Sequence, residues 1–274
     1  LNQISLLQVR CNDTVRLLAS GAQADDALAA FSQLAAENFG ESLDDAAISA
    51  SSTEAITGSA FCYTPTLPPI RQASDLSPGA EQARLRHALD LTLLDLMTLI
   101  TRVEESWPGD LAAIFSGHHM LLDDPELFDT ACGLLRSEHC TAEYAWQQVL
   151  SSLSTQYHQL DDAYLQARYI DIDDLLHRTL RHLLQSPLTL PDFTAPAILV
   201  TDDLFPSTVV ELDPNVVKGI CLREGSPLAH GALIAREMGI AWVCQQGVTL
   251  NDVQTGERLS LNVAENRAVR EKKP

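Results

Sequence analysis

The amino-acid sequence predicts an α/β layer with a helical bundle inserted into it and a short α+β segment in front of it. Two observations carry this prediction. Residues 188–265 alternate short apolar runs with short helical segments, whereas residues 75–187 are almost entirely helical in pattern. A further strand within residues 55–70 needs pairing partners, and the strands of residues 188–265 are available for it. The bundle is therefore expected between the first strand of the α/β layer and the rest.

The first 41 residues of the 274 are predicted to hold one strand and one helix. Residues 14–21 form a strand-type run that ends in glycine, and residues 25–35 form an amphipathic helix with Leu28 and Phe31 on its apolar face. About 40 residues are too few for an independent core, so we expect this segment to pack on another part or to be incomplete. Residues 42–54, rich in Ser, Ala and Asp, are predicted to be a linker.

Four long helices with short connections predict an antiparallel bundle over residues 75–187. Pro78 is placed to begin the first helix, and a Pro–Gly pair ends it. Asp110 can cap the second helix, and Pro125 begins the third. The fourth is a long helical stretch over residues 141–184, with a bend considered near Leu160 and Asp161.

The α/β part is predicted to contain four more strands and two helices. The strands are residues 197–201, 216–222, 240–244 and 258–263, and the helices are residues 206–212 and 230–238. Residues 266–274 are predicted to be a basic tail.

The charge balance excludes several classes of function. The chain has 37 Asp and Glu against 18 Lys and Arg, a formal net charge of −19. Binding to nucleic acid and docking on anionic lipid both depend on Lys and Arg, so we expect neither. An acidic surface instead favours a basic protein partner, because opposite fields steer the encounter.

The six cysteines do not form a metal motif. No Cys-x-x-Cys pair is present, so we expect no zinc or other metal site, and reduced thiols in a cytoplasmic protein. No apolar run reaches the roughly 20 residues that span a bilayer, and no signal peptide begins the chain. Because the sequence begins with Leu1 rather than Met, we interpret it as a piece of a longer protein.

His230 is the strongest candidate for chemistry. It lies at the first turn of a predicted helix, after a strand and a turn of Gly, Ser and Pro. The N–H groups and partial positive charge of a helix start favour a phosphate, and an imidazole there can accept a phosphoryl group. Arg236, six residues on, could neutralise phosphate oxygens. From spacing alone, the commoner interpretation is a surface histidine at a helix start.

The stretch around this histidine, GSPLAHGALIAREMGI at residues 225–240, resembles the phosphohistidine signature of PEP-utilising enzymes. His230 falls on the phosphorylated histidine, and residues 235–236 fall on the Ala-Arg pair of the signature. The resemblance implies that the α/β layer is a swivelling phosphohistidine domain. Leu228 and Ala229 replace a Thr and a Ser, so two hydroxyls that could bond the imidazole or the phosphate are missing.

Two segments of the bundle resemble Enzyme I of the PEP:sugar phosphotransferase system. They are AIFSGHHMLLDDPEL at residues 113–127 and LDDAYLQAR at residues 160–168. In that family the bundle is an acidic docking surface for the small basic carrier HPr. The resemblance implies docking through His118, Met120, Leu121, Asp123 and Glu126. The alternative is that Met120 and Leu121 are bundle core and that the histidines beside them are solvated.

The acidic residues that follow the second segment could suggest metal or acid–base chemistry. Asp171 and Asp174 share one helix face, but the sequence fixes no histidine near them. We therefore expect a solvated face or an acidic surface that faces HPr.

The beginning of the chain resembles a third module. Residues 1–41 are similar to the C-terminal half of HPr, without the half that bears HPr's own active histidine. In combination, the modules resemble the phosphotransferase subunit of PEP-dependent dihydroxyacetone kinase, a multiphosphoryl-transfer protein. That resemblance implies HPr and Enzyme I as upstream partners and the nucleotide-binding kinase subunit as the downstream partner. It implies no cofactor beyond a phosphohistidine.

The implied function is that of a phosphoryl carrier, with His230 transiently phosphorylated and feeding the phosphorylation of dihydroxyacetone. Free PEP is not expected to be the donor, because the sequence lacks the PEP-binding barrel of Enzyme I. Two alternatives stay open. One is an HPr-binding regulatory module that is no longer phosphorylated, which the changes at Leu228 and Ala229 favour. The other is a fragment of a sugar-transport Enzyme I–HPr fusion.

Overall fold

The computed structural model describes one helix near the beginning of the chain and most of the chain from residue 55 onward. The described residues are 16–21, 23–36, 55–65, 67–107, 111–187, 190, 193, 195–244 and 248–271. The predicted linker at residues 42–54 and most of the predicted HPr-like segment lie outside them.

The strands and long helices of the described α/β part and bundle follow one another in the order that the sequence predicts. The helices are α1 (Ala24–Ala36), α2 (Pro78–Ser106), α3 (Leu111–Leu122), α4 (Pro125–Glu138), α5 (Ala142–His158), α6 (Ala163–Gln166), α7 (Tyr169–Leu184), α8 (Pro206–Val210), α9 (His230–Glu237) and α10 (Val248–Asn251). The strands are β1 (Ile56–Cys62), β2 (Ala197–Thr201), β3 (Val217–Leu222), β4 (Ala241–Cys244), β5 (Arg258–Asn262) and β6 (Arg267–Arg270). None of these helices combines the length and the apolar character that crossing a membrane requires.

β1 lies inside the sheet, although the bundle separates it in sequence from the strands beside it. The strand order is β4-β3-β2-β1-β5-β6. The pairs from β4 to β1 are parallel, and β5 pairs antiparallel with both β1 and β6. The fold class predicted from the sequence, an α/β layer with an inserted helical bundle, is confirmed.

The central strands are buried on both faces, which explains why their sequences are continuous apolar runs. All five residues of β2 are buried. On one face, Leu199 and Ile220 pack with Ile234 of α9. On the other face, Ile198 packs with Leu259 of β5 and with α10.

The bundle packs on the sheet face that α8 and α9 also cover. Leu99 and Val103 of α2 and Phe115 of α3 belong to the same buried cluster as Leu199 and Leu222 of the sheet. Because the two parts share this apolar cluster, α3 and α7 are held close to the beginning of α9.

Three of the bundle helices, α2, α4 and α5, begin at capping residues that are visible in the sequence. Ser77, Asp124 and Thr141 each accept a hydrogen bond from a backbone N–H group in the first turn of the helix that follows. The helical stretch predicted over residues 141–184 is interrupted where the sequence suggested a bend, near residues 160–161, and again before Tyr169. That stretch divides into α5, α6 and α7, because Asp162 caps a new helix start at α6.

Two predictions for the ends of the chain also differ from the structure. The predicted strand at residues 14–21 is not formed over residues 16–20, which are exposed, and residues 14–15 lie outside the described part. The helix that follows is confirmed as α1. Residues 267–270 were expected in a tail but form β6, because pairing with β5 satisfies their backbone groups.

Candidate functional site

His230 is the first residue of α9, and close packing fixes the backbone around it. A Cβ on Gly225, in the preceding turn, would lie 2.8 Å from Asp203 Oδ1. A Cβ on Gly231 would lie 2.9 Å from Cη2 of the Trp242 ring. A side chain at either position would therefore have to displace its neighbours, so glycine allows the turn and the helix start to pack closely around His230.

The imidazole of His230 contacts a carboxylate from the bundle. Its Nδ1 lies 3.0 Å from Asp171 Oδ2. The other oxygen of that carboxylate, Oδ1, lies 3.1 Å from His118 Nε2. Three elements thus supply the site, since His230 begins α9, Asp171 lies in α7 and His118 lies in α3.

The three side chains are almost completely shielded from solvent. His230 is 9% exposed, and His118 and Asp171 are 4% exposed. The His118 ring also packs edge-on against Phe115, with 5.5 Å between the ring centroids. In surroundings of low dielectric, the charge of each member strongly affects the others.

The protonation states follow from this burial. For Asp171, burial raises the pKa, but the charge that His230 carries when protonated and the contacts with both imidazoles outweigh burial and hold the pKa below its usual value. For His230, burial lowers the pKa, and the Asp171 carboxylate only partly opposes it. The carboxylate is therefore charged and the imidazole of His230 is neutral near pH 7. A neutral ring that donates Nδ1–H to Asp171 has the lone pair of Nε2 available as a nucleophile.

A guanidinium also lies close to this site, but it is not the one that the sequence analysis selected. Arg168 Nη1 donates a hydrogen bond to Leu228 O at 3.2 Å, in the turn before His230. Its positive charge contributes to the lowered pKa of His230. Arg236 is exposed near the far end of α9, where it lies 3.8 Å from Glu237. Arg168 is thus the better placed residue to neutralise a phosphate.

The residues predicted to dock HPr divide into two groups. Met120, Asp123 and Glu126 are exposed, and Leu121 is partly buried against the bundle core. His118, which we expected on the same surface, is buried and contacts Asp171 instead. This correction has a simple physical reason: α3 presents one face to solvent and the other to α7 and α9.

The expectation of a solvated acidic face on α7 is also corrected. Asp171 and Asp174 are both buried, and Asp174 accepts hydrogen bonds from Ser207 N at 2.9 Å and Ser207 Oγ at 2.6 Å. The helical spacing indicated that Asp171 is buried, because Leu175, four residues later on the same helix face, is fully buried. A charged residue on the apolar face of a helix usually has a specific partner.

The same three side chains could hold a divalent metal ion. Among the described residues, one ligand atom each from His118, Asp171 and His230 lie within 4.8 Å of one another. Two imidazoles and a carboxylate are ligands that zinc accepts. The sequence indicates Asp171 as a possible ligand but places no histidine beside it, because His230 lies 59 residues away along the chain. The described cysteines are free, and burial raises the pKa of Cys221 and of Cys244 to about 12, so these two thiols are unreactive.

Comparisons with known proteins agree with the fold. Residues 46–168 match the family described as PEP-utilising enzyme, N-terminal, and residues 193–266 match PEP-utilising enzyme, mobile domain. The solution structure of the N-terminal part of an Enzyme I superposes with a TM-score of 0.58 and 25% identity, over 81% of this chain and 91% of that chain.

Two curated relatives carry the same name, PEP-dependent dihydroxyacetone kinase, phosphoryl donor subunit DhaM. The protein from Escherichia coli (strain K12) is 58% identical over 267 residues, which cover 97% of this chain and 57% of that protein. The protein from Klebsiella michiganensis is 55% identical over 271 residues, with 98% and 57% covered. This chain thus spans little more than half the length of these relatives. With both domain matches together covering more than two thirds of it, the chain belongs to the family of PEP-utilising enzymes.

Proposed function

We propose that this chain carries a phosphoryl group on Nε2 of His230, within a relay that supplies the phosphorylation of dihydroxyacetone. The observation that carries the proposal is the 3.0 Å contact between His230 Nδ1 and the buried carboxylate of Asp171. This contact directs the other ring nitrogen, Nε2, to react. The names of the two curated relatives, both phosphoryl donor subunits, support the same activity.

The proposed transfer needs no cofactor besides the histidine itself. The Nε2 lone pair of His230 attacks the phosphorus of a donor phosphohistidine and forms a new N–P bond. The donor N–P bond breaks, and its electron pair returns to the donor imidazole. His230 keeps its Nδ1 proton and becomes a phosphoimidazolium, whose positive charge the Asp171 carboxylate stabilises. The Arg168 guanidinium lies close enough to offset the charge of the arriving phosphoryl group.

Phospho-HPr is the proposed donor, and Enzyme I is the protein that phosphorylates HPr from PEP. The exposed residues Met120, Asp123 and Glu126, with Leu121 beside them, are the proposed docking surface. The chain's net charge of −19 suits a basic carrier. The nucleotide-binding subunit of dihydroxyacetone kinase is the proposed partner downstream, and the relay operates in the cytoplasm.

Labelling with radioactive PEP tests this proposal. The chain is incubated with labelled PEP, Enzyme I and HPr, and acid-labile protein-bound phosphate is measured. We expect label on the wild type and on a His87→Ala control, since His87 is exposed on α2. His230→Ala should carry none. Equal label on wild type and His230→Ala would overturn the proposal.

The regulatory alternative predicts a different result in the same experiment. Leu228 and Ala229 stand where the family signature has hydroxyl residues, which favours a module that binds HPr without accepting phosphate. Such a module would bind HPr, measured by calorimetry, while the wild type stayed unlabelled.

A further inference from the structure

A cavity beside α7 contains none of the residues of the His230 site. It lies where α7 meets α8 and the segment after β1. Its polar lining includes Tyr63, His177, Arg178, Arg181, Ser207 and Thr208. α7 thus contributes two arginines, and α8 contributes two hydroxyl side chains.

The two arginines of this cavity lack hydrogen-bond acceptors. Arg178 is only 8% exposed, and its Nε is buried without a hydrogen-bond partner. Its nearest carboxylate atom, Asp174 Oδ1, is 3.5 Å from that Nε, which is an ion-pair contact and too long for a good hydrogen bond. Arg181 Nε is buried and unpaired in the same way. No side chain or carbonyl in the described part of the chain accepts a hydrogen bond from either guanidinium. Buried donors without acceptors are rare, and an ion that binds there is one explanation.

The charges around the cavity do not balance either. Asp174 is the one carboxylate in its lining, and its oxygens already accept hydrogen bonds from Ser207 N and Oγ. Asp95, whose charge raises the pKa of Arg181, does not line the cavity and lies 2.7 Å from His182 Nε2. Burial and the charge of Arg178 lower the pKa of Arg181, as expected for two cations held side by side. A cationic cavity in a chain of net charge −19 is therefore a local exception.

We propose that this cavity binds a small anion that carries a phosphate group, held by the guanidinium groups of Arg178 and Arg181. The planar fork of a guanidinium matches two phosphate oxygens at once, and two such forks suit a tetrahedral dianion better than a single carboxylate. Thr208, which also lines the cavity, adds a hydroxyl donor. The bound anion supplies the missing acceptors and bridges α7 to α8. This site is independent of phosphoryl transfer at His230.

Calorimetric titration with inorganic phosphate, at an ionic strength held constant with chloride, tests the proposal. We expect saturable binding by the wild type. Arg181→Gln should weaken it by about tenfold or more, because a charge-assisted hydrogen bond to phosphate is lost. Arg136→Gln is the matched control, since Arg136 is an exposed arginine of α4, and its affinity should equal that of the wild type.

Further variants separate the possible results. His230→Ala should keep phosphate binding, which distinguishes this cavity from the histidine site. Arg178→Gln should also lose binding, and if it fails to fold, Arg181→Gln decides alone. Glycerol 3-phosphate, titrated in parallel, binds more tightly than inorganic phosphate if the natural ligand is a phosphate ester, and less tightly if it is free phosphate. The absence of wild-type binding, or equal affinities of Arg181→Gln and Arg136→Gln, would refute the site.

Discussion

The carboxylate of Asp171 offers the sharpest test of the reasoning about His230. Asp171→Asn keeps the shape of the side chain and removes its negative charge. The native carboxylate lies 3.0 Å from Nδ1 of His230 and 3.1 Å from Nε2 of His118. An amide in its place can still contact both rings, so the fold should be preserved. What is lost is the charge that stabilises a positive imidazole.

The size of the effect follows from the strength of that contact. A hydrogen bond to a charged group contributes about 1.5–3 kcal/mol. If this contribution is realised when the phosphoimidazolium forms, its loss slows phosphorylation of His230 by roughly tenfold to 150-fold. Because the site is buried, solvent does not screen the charge, and we expect the slowing of phosphorylation to lie in the upper part of this range.

Rapid-quench measurement of label transfer from phospho-HPr gives the rate directly. Asp173→Asn is the matched control. Asp173 lies on the same helix, burial raises its pKa, and His230 is not among the groups that shift it. Thermal unfolding of both variants checks that they remain folded. A rate for Asp171→Asn within twofold of the wild type would refute the role of the carboxylate. Equal slowing by Asp173→Asn would show that the effect is not specific.

Three further predictions concern the same domain. Phosphorylation of His230 should slow as the pH falls through the His230 pKa, because only the neutral ring is a nucleophile. Burial holds that pKa below 6.5, so a phosphorylation rate that already halves above pH 7 would contradict this prediction. Gly225→Ala should lower the free energy of unfolding, measured in urea, by about 1–3 kcal/mol, because the added Cβ would meet Asp203. Gly79→Ala is the control and should not lower it, because no atom lies within 4 Å of the added Cβ. Burial raises the folded-state pKa of Asp203 from 3.8 to about 6, although the hydrogen bond from Tyr169 opposes this. The unfolded chain therefore loses that proton first, so this carboxyl's contribution to stability decreases as the pH rises from about 4 to about 6, and Asp203→Asn should flatten that slope.

Much of the fold could be predicted because it depends on local patterns. The apolar run of β2 and the turn glycine at residue 225 are recognisable without any tertiary contact. The caps Ser77 and Thr141 act within one turn of their own helices. The break near residues 160–161 was recognisable, because Asp162 can cap a new helix start. The second break, between α6 and α7, was harder to predict, because no side chain caps the beginning of α7.

The candidate site was predicted only at its first member. His230 could be selected because a turn and a helix start surround it in the sequence. Its partner Asp171 lies 59 residues away, and the contact forms only when the bundle packs on the sheet. The selection of Arg236 rested on nearness in sequence, yet six residues along α9 lead to the other end of the helix.

The sequence by itself thus determined the order of strands β1 to β5, the inserted bundle and the histidine at the start of α9. The tertiary structure decided the histidine's surroundings: a buried aspartate, a second histidine, and Arg168 in place of Arg236. It also revealed the two arginines without acceptors on α7. The physical reason is that a capping residue or an apolar run acts over a few residues of chain. A pKa depends instead on burial and on charges that only folding brings together.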